Sequence, residues 1–288
     1  MKKQYPFKDR QWLINMLNKH KTVKQLCIQE HLAVTSVNRY IRKYDLRDLV
    51  QEPQYHGSVH SELASDFFED INNEQKAYWL GMMMSDGNIG DNGRKSYYIR
   101  LSLKDYDHLY KFCDVLNISH DNVRVNSSGV GTVRVFSKAL YNQLIQCGMH
   151  PGEKQLNAYP TNLQDILHRH FIRGYFDGDG SVFTRNQNDI KRKRSLCAMY
   201  MIFTNHNIAF TVSNILSANN IDIPLCVRTL SSGLTVYELK TESIVKCKRF
   251  FNWIYNDSSV FMQRKYDKAI AALDLIVQSG RKARLIAG

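Results

Sequence analysis

The sequence has no apolar run that approaches the roughly 18 residues of a membrane-spanning helix. Its first residues are polar and basic, and they lack the apolar stretch of a secretory signal peptide. Six cysteines are scattered without a Cys-x-x-Cys pair, so neither a zinc site nor a disulfide framework is indicated. We therefore expect a soluble intracellular protein with reduced thiols. We expect it in the cytoplasm of a bacterial or phage-infected cell, with an organelle as the alternative.

Acidic residues are fewer than basic ones. The 288 residues include 39 lysines and arginines against 27 aspartates and glutamates, a formal net charge of +12. Such an excess favours a polyanionic partner, most often nucleic acid, although a soluble protein can be basic without one. The length leaves room for about two domains.

Residues 1–49 are predicted to form a small helix-turn-helix domain. Apolar spacing predicts helices at residues 10–19, from a cap at Thr22 through residue 28, and at residues 34–44. Two short helices joined by a tight turn, the second polar and basic outside, fit a unit whose second helix enters a major groove. Residues 1–48 hold eleven basic against four acidic side chains. The alternative is a three-helix interaction domain with a solvated basic face. The predicted DNA-binding residues of the third helix are Ser36, Asn38, Arg39, Arg42 and Lys43.

One short pattern occurs twice after a polar linker at residues 50–70. The two copies lie 93 positions apart, each with small residues inside an apolar helical stretch and a carboxylate directly before a glycine at its end. The copies end at Asp86-Gly87 and Asp179-Gly180. A single Asp-Gly indicates only a turn, but its recurrence in matching context indicates function. The glycines are predicted to take a left-handed cap conformation.

The small residues of each copy are four positions apart, at Gly81 and Ser85 and at Gly174 and Gly178. This spacing lets two helix backbones approach closely, so the two acids can end side by side. Two adjacent carboxylates at helix C-termini repel one another, and a divalent cation removes that penalty. Oxygen ligands at an open site suit Mg²⁺. Asp177 aligns with Met84 in the other copy, so we assign Asp177 to local packing or capping.

The surrounding elements repeat as well. Each half is predicted as helix, two strands, helix, two strands, helix, with repeat 1 at residues 71–160 and repeat 2 at residues 161–268. Residues 96–104 alternate as a half-buried strand. Residues 269–288 are predicted to form a helical and then basic tail, with the helix ending at residue 276. The fold class is therefore α+β, with a small all-α domain at the N-terminus.

The stretches Ala77–Gly87 and Phe171–Ser181 resemble the LAGLIDADG homing endonucleases in their single-chain form with two motifs. The resemblance covers roughly residues 70–268, and the N-terminal unit looks like an accessory domain found on some such enzymes. It implies two αββαββα halves around a pseudo-twofold axis, whose two four-stranded sheets make a saddle over double-stranded DNA. It also implies a monomer, encoded by a mobile element such as an intron, that cleaves both strands across the minor groove of a long, partly asymmetric target. The first motif departs from the family pattern at Met84 and Ser85.

The resemblance implies a Mg²⁺ cofactor, for which Mn²⁺ can substitute. The expected metal site comprises Asp86 and Asp179 with the residues before them, Ser85 and Gly178. Besides the two acids, the expected catalytic residues are Lys154 and Lys265, at the positions where the family has a basic residue near each cleaved phosphate. A lysine there can orient water and stabilise developing charge.

Polar and basic side chains of the predicted strands are candidates for base reading and phosphate binding. The basic run of residues 191–194 is predicted to bind phosphate, with a nuclear-localisation signal as the alternative. The candidates are Tyr98, Arg100, Ser102, Arg124, Asn126, Arg134, Arg185, Asn186, Lys191, Arg192, Lys193, Arg194, Arg228 and Tyr237.

The sequence is consistent with three alternative functions. The first is a site-specific DNA endonuclease. The second is a transcription regulator that kept the fold and lost cleavage, and the presence of both acids disfavours it. The third is an RNA maturase on the same scaffold, which the sequence does not exclude. An intein is not expected, because no splicing Cys or Ser opens the chain and no His-Asn ends it.

Overall fold

The computed structural model describes residues 6–20, 23–30, 32, 34–46, 49–50, 62–92, 96–184 and 197–286. The chain folds as two compact units, Met1–Ser61 and Glu62–Gly288. No helix within the described ranges has the length and apolar content needed to cross a membrane. The predicted Thr22 cap and most of the predicted linker lie outside these ranges.

The first unit contains three helices, α1 (Arg10–Lys19), α2 (Val23–Gln29) and α3 (Val34–Lys43). The Asp9 side chain caps α1 by accepting a hydrogen bond from the Trp12 amide. Apolar side chains spaced at helical intervals pack together into a separate hydrophobic core in this unit. Its buried members are Phe7, Leu13, Leu17, Leu26, Cys27, Val37, Ile41 and Leu46.

The second unit repeats one sequence of elements. The elements of its first half are α4 (Glu74–Asp86), β1 (Gly87–Asp91), β2 (Tyr97–Leu103), α5 (Tyr106–Val115), β3 (Arg124–Val125), β4 (Gly131–Phe136) and α6 (Lys138–Gln146). Those of its second half are α7 (His168–Asp179), β5 (Ser181–Thr184), β6 (Cys197–Phe203), α8 (His206–Ala218), β7 (Leu225–Thr229), β8 (Thr235–Thr241) and α9 (Ile244–Tyr255). A final helix, α10, spans Gln263–Ile286. The structure thus confirms the α+β class and the duplicated αββαββα order.

Each half contains one antiparallel four-stranded sheet. The strand orders are β1-β2-β4-β3 and β5-β6-β8-β7, so the two sheets have the same topology. The β3–β4 and β7–β8 hairpins both turn at a Ser-Ser-Gly sequence. The glycines of those turns, Gly129 and Gly233, have φ of 73° and 83°, where a side chain would be strained.

Alternation in β2 shows how the sheets are layered. Ile99, Leu101 and Leu103 are buried, whereas the residues between them are only half-buried. One face of the sheet therefore packs on helices and the other remains accessible. The two sheets, α4 and α7 share one continuous apolar core within the described part of residues 62–286.

Three predictions about elements need correction. The repeat pattern implied a strand before residues 96–104 but did not locate it, and the structure places it at Gly87–Asp91 as β1. The sequence predicts the helix of the second motif at residues 165–177, but that helix begins at His168, after a short 3-10 turn at Asp165–Leu167, and continues to Asp179. The last helix does not end at residue 276 but reaches Ile286.

Candidate nuclease site and nucleic-acid face

Two glycines bring α4 and α7 into backbone contact. A Cβ placed on Gly81 would lie 2.0 Å from the carbonyl oxygen of Phe171, and one on Gly174 would lie 1.9 Å from that of Tyr78. Gly81 and Gly174 occupy equivalent positions of the two motifs, and so do Tyr78 and Phe171. The contact is therefore pseudo-twofold symmetric, as the spacing of small residues predicts.

The close helix contact brings the ends of the two helices together. Asp86 is the last residue of α4, and Asp179 is the last residue of α7. A Cβ on Gly178 would lie 1.9 Å from the Ser85 hydroxyl and 3.1 Å from a carboxylate oxygen of Asp86. The Asp86 carboxylate is thus beside the last turn of the other motif helix.

The glycines after the two acids do not take the predicted left-handed conformation. Gly87 and Gly180 both have φ of −77° with extended ψ. A Cβ on Gly87 would lie 2.3 Å from the Met83 carbonyl oxygen, and one on Gly180 would lie 2.2 Å from the ring of Phe176. Glycine is needed here for space, because the chain folds back tightly against the helix that it leaves.

The environment of the two acids disfavours their charged forms. Desolvation, followed by repulsion from Asp86, raises the pKa of Asp179 to about 6, although Asp179 is an exposed residue and Asp86 is half-buried. Desolvation also raises the pKa of Asp86, against the opposing attraction of Lys154 and Lys265. Such raised values at adjacent carboxyls are typical of functional sites.

Each acid is preceded by a carbonyl that accepts a lysine ammonium. Lys154 Nζ donates to the Ser85 carbonyl oxygen, and Lys265 Nζ donates to that of Gly178 at 2.6 Å. Ser85 and Gly178 are equivalent positions of the two motifs, so the pairing is symmetric. The structure therefore brings together all six predicted catalytic and metal-site residues. The lysines differ in burial, since Lys154 is exposed and Lys265 is only 6% exposed.

The two carboxylates suit a hard cation. Within the described residues, no group of three or more His, Cys, Asp and Glu side chains is placed to hold a metal. A cation here would be held by Asp86 and Asp179 with backbone oxygens, a donor set that fits Mg²⁺. The Ser85 hydroxyl is directed elsewhere, to the Met82 carbonyl oxygen at 3.0 Å, so Ser85 and Gly178 offer only their carbonyls.

Asp177 is fully buried and away from this donor set, as its alignment with Met84 predicts. Its carboxylate accepts hydrogen bonds from the Tyr78 hydroxyl at 2.8 Å, the Tyr255 hydroxyl at 2.6 Å and the Met262 amide at 2.7 Å. It thereby joins α4, α7, α9 and the start of α10.

The accessible face of the first sheet collects the predicted DNA-binding residues of that half. Strand pairing sets Arg100 opposite Arg134, and Ser102 and Arg124 both opposite Thr132, so these side chains share one face with Tyr98. The Arg134 guanidinium lies 4.7 Å from the centre of the Tyr98 ring. Asn126 has a different role, because its side chain accepts three hydrogen bonds within the hairpin turn.

In the second sheet, the prediction that Tyr237 lies on the DNA-binding face is wrong. Arg228 pairs opposite Val236, whereas Tyr237 pairs opposite Val227 and the fully buried Phe203. Tyr237 therefore lies on the helix-covered face, where its ring packs against His206. The candidates of the β5–β6 loop, namely Arg185, Asn186, Lys191, Arg192, Lys193 and Arg194, lie outside the described residues.

Sequence reasoning missed two groups. Glu238 shares a face with Tyr200 and Arg228, accepting from the Tyr200 hydroxyl at 2.7 Å and forming an ion pair with Arg228. Asp105 forms a two-point ion pair with Arg264 and contributes to the raised pKa of Asp86. Alternation along β6 and β8 could have indicated Glu238, but the Asp105 contact spans 159 positions and leaves no local pattern.

In the N-terminal unit, the predicted binding residues lie along α3. Arg39, Arg42 and Lys43 are exposed, and Ser36 and Asn38 are half-buried. The buried residues of the same helix are Val37 and Ile41, so α3 has one apolar and one basic face.

The chain is similar to several solved structures. Variants of the homing endonuclease I-DmoI align at 17% identity and a TM-score of 0.43, over 67% of this chain and 97% of theirs. The LAGLIDADG homing endonuclease I-LtrWI, bound to target DNA, aligns at 12% identity and 0.46, over 72% and 92%. The LAGLIDADG meganuclease I-AabMI, bound to uncleaved DNA, aligns at 10% identity and 0.48, over 72% and 92%. No family model and no curated protein sequence matches the chain.

Proposed function

We propose that the chain is a divalent-metal-dependent endonuclease that cuts both strands of a long DNA target. The observation that carries this proposal is the symmetric end of the α4–α7 pair. Two acids with raised pKa values lie there, each preceded by a carbonyl that accepts a lysine ammonium.

This arrangement suits phosphodiester hydrolysis on a symmetric backbone. Asp86 and Asp179 would hold a divalent cation, with Mg²⁺ the ion that their oxygens suit and Mn²⁺ a substitute. When bound, the cation supplies charge neutralisation at the cleaved phosphate. Lys154 and Lys265 would each orient water and stabilise the charge that develops on one strand. Burial lowers the pKa of Lys265 to about 8, so it can accept or release a proton near neutral pH.

The rest of the molecule supplies the DNA-binding surface. The accessible face of the first sheet, with Arg100, Arg124 and Arg134, would read bases and hold phosphates of a DNA duplex. With one sheet in each of two successive major grooves, Asp86 and Asp179 would face the minor groove between them. The basic face of α3 would extend the footprint, and the protein would act as a cytoplasmic monomer with an internal pseudo-dimer.

The test uses a supercoiled plasmid that carries the sequence joining the two flanks of the gene without the gene itself. With Mg²⁺ the protein should linearise this plasmid, leaving short 3′ overhangs. Asp86→Asn and Asp179→Asn should bind the same duplex and fail to cut it. Asp121→Asn changes one exposed carboxylate far along the chain from both motifs and serves as the matched charge control. Cleavage by a variant that lacks both Asp86 and Asp179 carboxylates would refute the assignment. Binding without cleavage by the unaltered protein would indicate the regulator instead.

A further inference from the structure

The two halves of the site each contribute one aspartate and one lysine. The aspartates have equivalent positions, but the two lysines differ in burial and in the contacts that hold them. Lys154 is exposed and lies in a short 3-10 turn, Lys154–Leu156. Lys265 is buried in the first turn of α10, and its ammonium donates to two carbonyl oxygens, Phe176 at 2.8 Å and Gly178 at 2.6 Å.

Those two carbonyls belong to the residues on either side of Asp177 in α7. The Asp177 side chain makes a second contact with the start of α10. Its carboxylate accepts the amide of Met262, the residue before α10, at 2.7 Å. The Lys265 amide in turn donates to the Met262 carbonyl at 3.0 Å. Asp177 and Lys265 therefore join α7 to the start of α10 at two points, and the lysine is held three residues from the tethered amide.

The first half contains no equivalent tether in its described residues. The position equivalent to Asp177 is Met84, an apolar side chain that is 2% exposed. A buried carboxylate is costly unless it is fully hydrogen-bonded, and Asp177 has three donors. Charge-assisted bonds of this kind fix geometry more strongly than neutral ones.

We propose that Asp177 is a positioning residue that holds Lys265 in place through the Met262 amide, and that it acts on the cleavage of only one DNA strand. This inference rests on the proposed nuclease function for its strand assignment, but not for the tether itself. The affected strand is the one whose cleavage is slowed by Lys265→Met.

The first measurement is independent of DNA. Acylation of surface lysines, read by mass spectrometry, should modify Lys265 slowly in the unaltered protein. Asp177→Leu should raise the labelling of Lys265 severalfold and leave that of Lys154 unchanged. Tyr255→Phe is the matched control, because it removes one hydrogen bond to Asp177 and keeps the Met262 tether. It should not change the labelling of either lysine.

The second measurement uses the joined-flank duplex, labelled separately on each strand. Asp177→Leu should slow the Lys265-dependent strand on the order of 10-fold to 100-fold, since displacement of a catalytic group by about 1 Å can cost that much. The other strand should keep its rate, and nicked DNA should accumulate. A loss of folded protein would slow both strands equally, so the ratio of the two rates separates positioning from stability.

If Asp177→Leu does not fold, Asp177→Asn carries the same test with a smaller effect, because it keeps the shape and removes the charge. Unchanged Lys265 labelling together with an unchanged strand ratio would overturn the proposal. If the unaltered protein cuts no DNA, the nuclease function fails and the labelling alone decides the tether.

Discussion

The contact between α4 and α7 gives the sharpest mutational prediction. Gly174→Ala and Gly81→Ala each place one methyl group against the backbone of the facing helix. Because the two sites are related by the pseudo-twofold axis, the substitutions should have similar effects. Both should destabilise the protein and abolish cleavage.

The magnitude follows from two opposing contributions. Replacing glycine by alanine inside a helix should stabilise the folded state by about 1 kcal/mol. At Gly174 the new Cβ would lie 1.9 Å from the Tyr78 carbonyl oxygen, whereas ordinary contact begins at 3.4 Å. The helices must therefore separate by about 1.5 Å along that line. Overpacking of a core typically costs about 1–3 kcal/mol, and backbone atoms cannot rotate away, so the upper value applies. The net loss should be about 2 kcal/mol.

Urea unfolding of each variant, followed by circular dichroism, measures this loss as a change in the free energy of unfolding. Ser217→Ala, at an exposed position of α8, is the control for helix propensity and should stay within about 0.5 kcal/mol of the unaltered protein. If Gly174→Ala is as stable as the unaltered protein, or more stable, the helices do not touch at this position. In that case the acids cannot be brought together in the way described.

Three further predictions concern cation binding, the pH dependence of stability and the N-terminal unit. Binding of Ca²⁺ or Mg²⁺, measured by calorimetry, should weaken as the pH falls through about 6, because protons compete for Asp179, and Asp179→Asn should lose this dependence. The same carboxyl has a folded pKa above its ordinary value of 3.8, so the stability of the metal-free protein should fall as the pH rises from about 4 to about 6. A pH-independent affinity between pH 5 and 7 would contradict the assignment of Asp179. Deleting residues 1–50 should weaken DNA binding and flatten its salt dependence while cleavage persists, and an unchanged salt slope would refute DNA binding by α3.

Much of the architecture could be predicted because the patterns that set it are local. The alternation of β2 gave its buried and accessible faces correctly, and the repeated small residues gave the close helix contact. Strand β1 could not be located from the sequence, because two of its five residues are glycines, which weaken any strand pattern.

The misplaced Tyr237 shows a limit of periodicity. In β8 the buried residues Val236 and Leu239 are three apart, so the strand has no consistent alternation from which to assign a face. A shift of one residue moves every side chain to the other face of a sheet. The pairing with β6 determines the face, because it sets Tyr237 opposite the fully buried Phe203, and the sequence of β8 alone does not determine that register.

The contact between Asp177 and Met262 near Lys265 was also not predicted, and the reason is the distance between these residues in the sequence. The bonds from Asp177 to Tyr78, Tyr255 and Met262 span 78 to 99 positions, so no local pattern contains them. The motif identified Asp179 as the paired acid and left Asp177 with a packing role. Asp177 does have a packing role, but the prediction that this packing is local was wrong, because its three hydrogen-bond partners are distant in the sequence.

The symmetry of this molecule is strict where the two halves touch and relaxed elsewhere. Gly81 and Gly174 each lie against the backbone of the facing helix, so a side chain at either position would push the two helices apart. On the accessible faces of the two sheets the halves differ. The first sheet presents Arg100 and Arg134 opposite one another, whereas in the second Glu238 engages Arg228 and Tyr200 on the corresponding face. Arginine favours guanine or phosphate, and glutamate can accept only from a donor such as the cytosine amino group. On the proposed nuclease function, we therefore expect the protein to cut at a symmetric centre and to read two unlike half-targets.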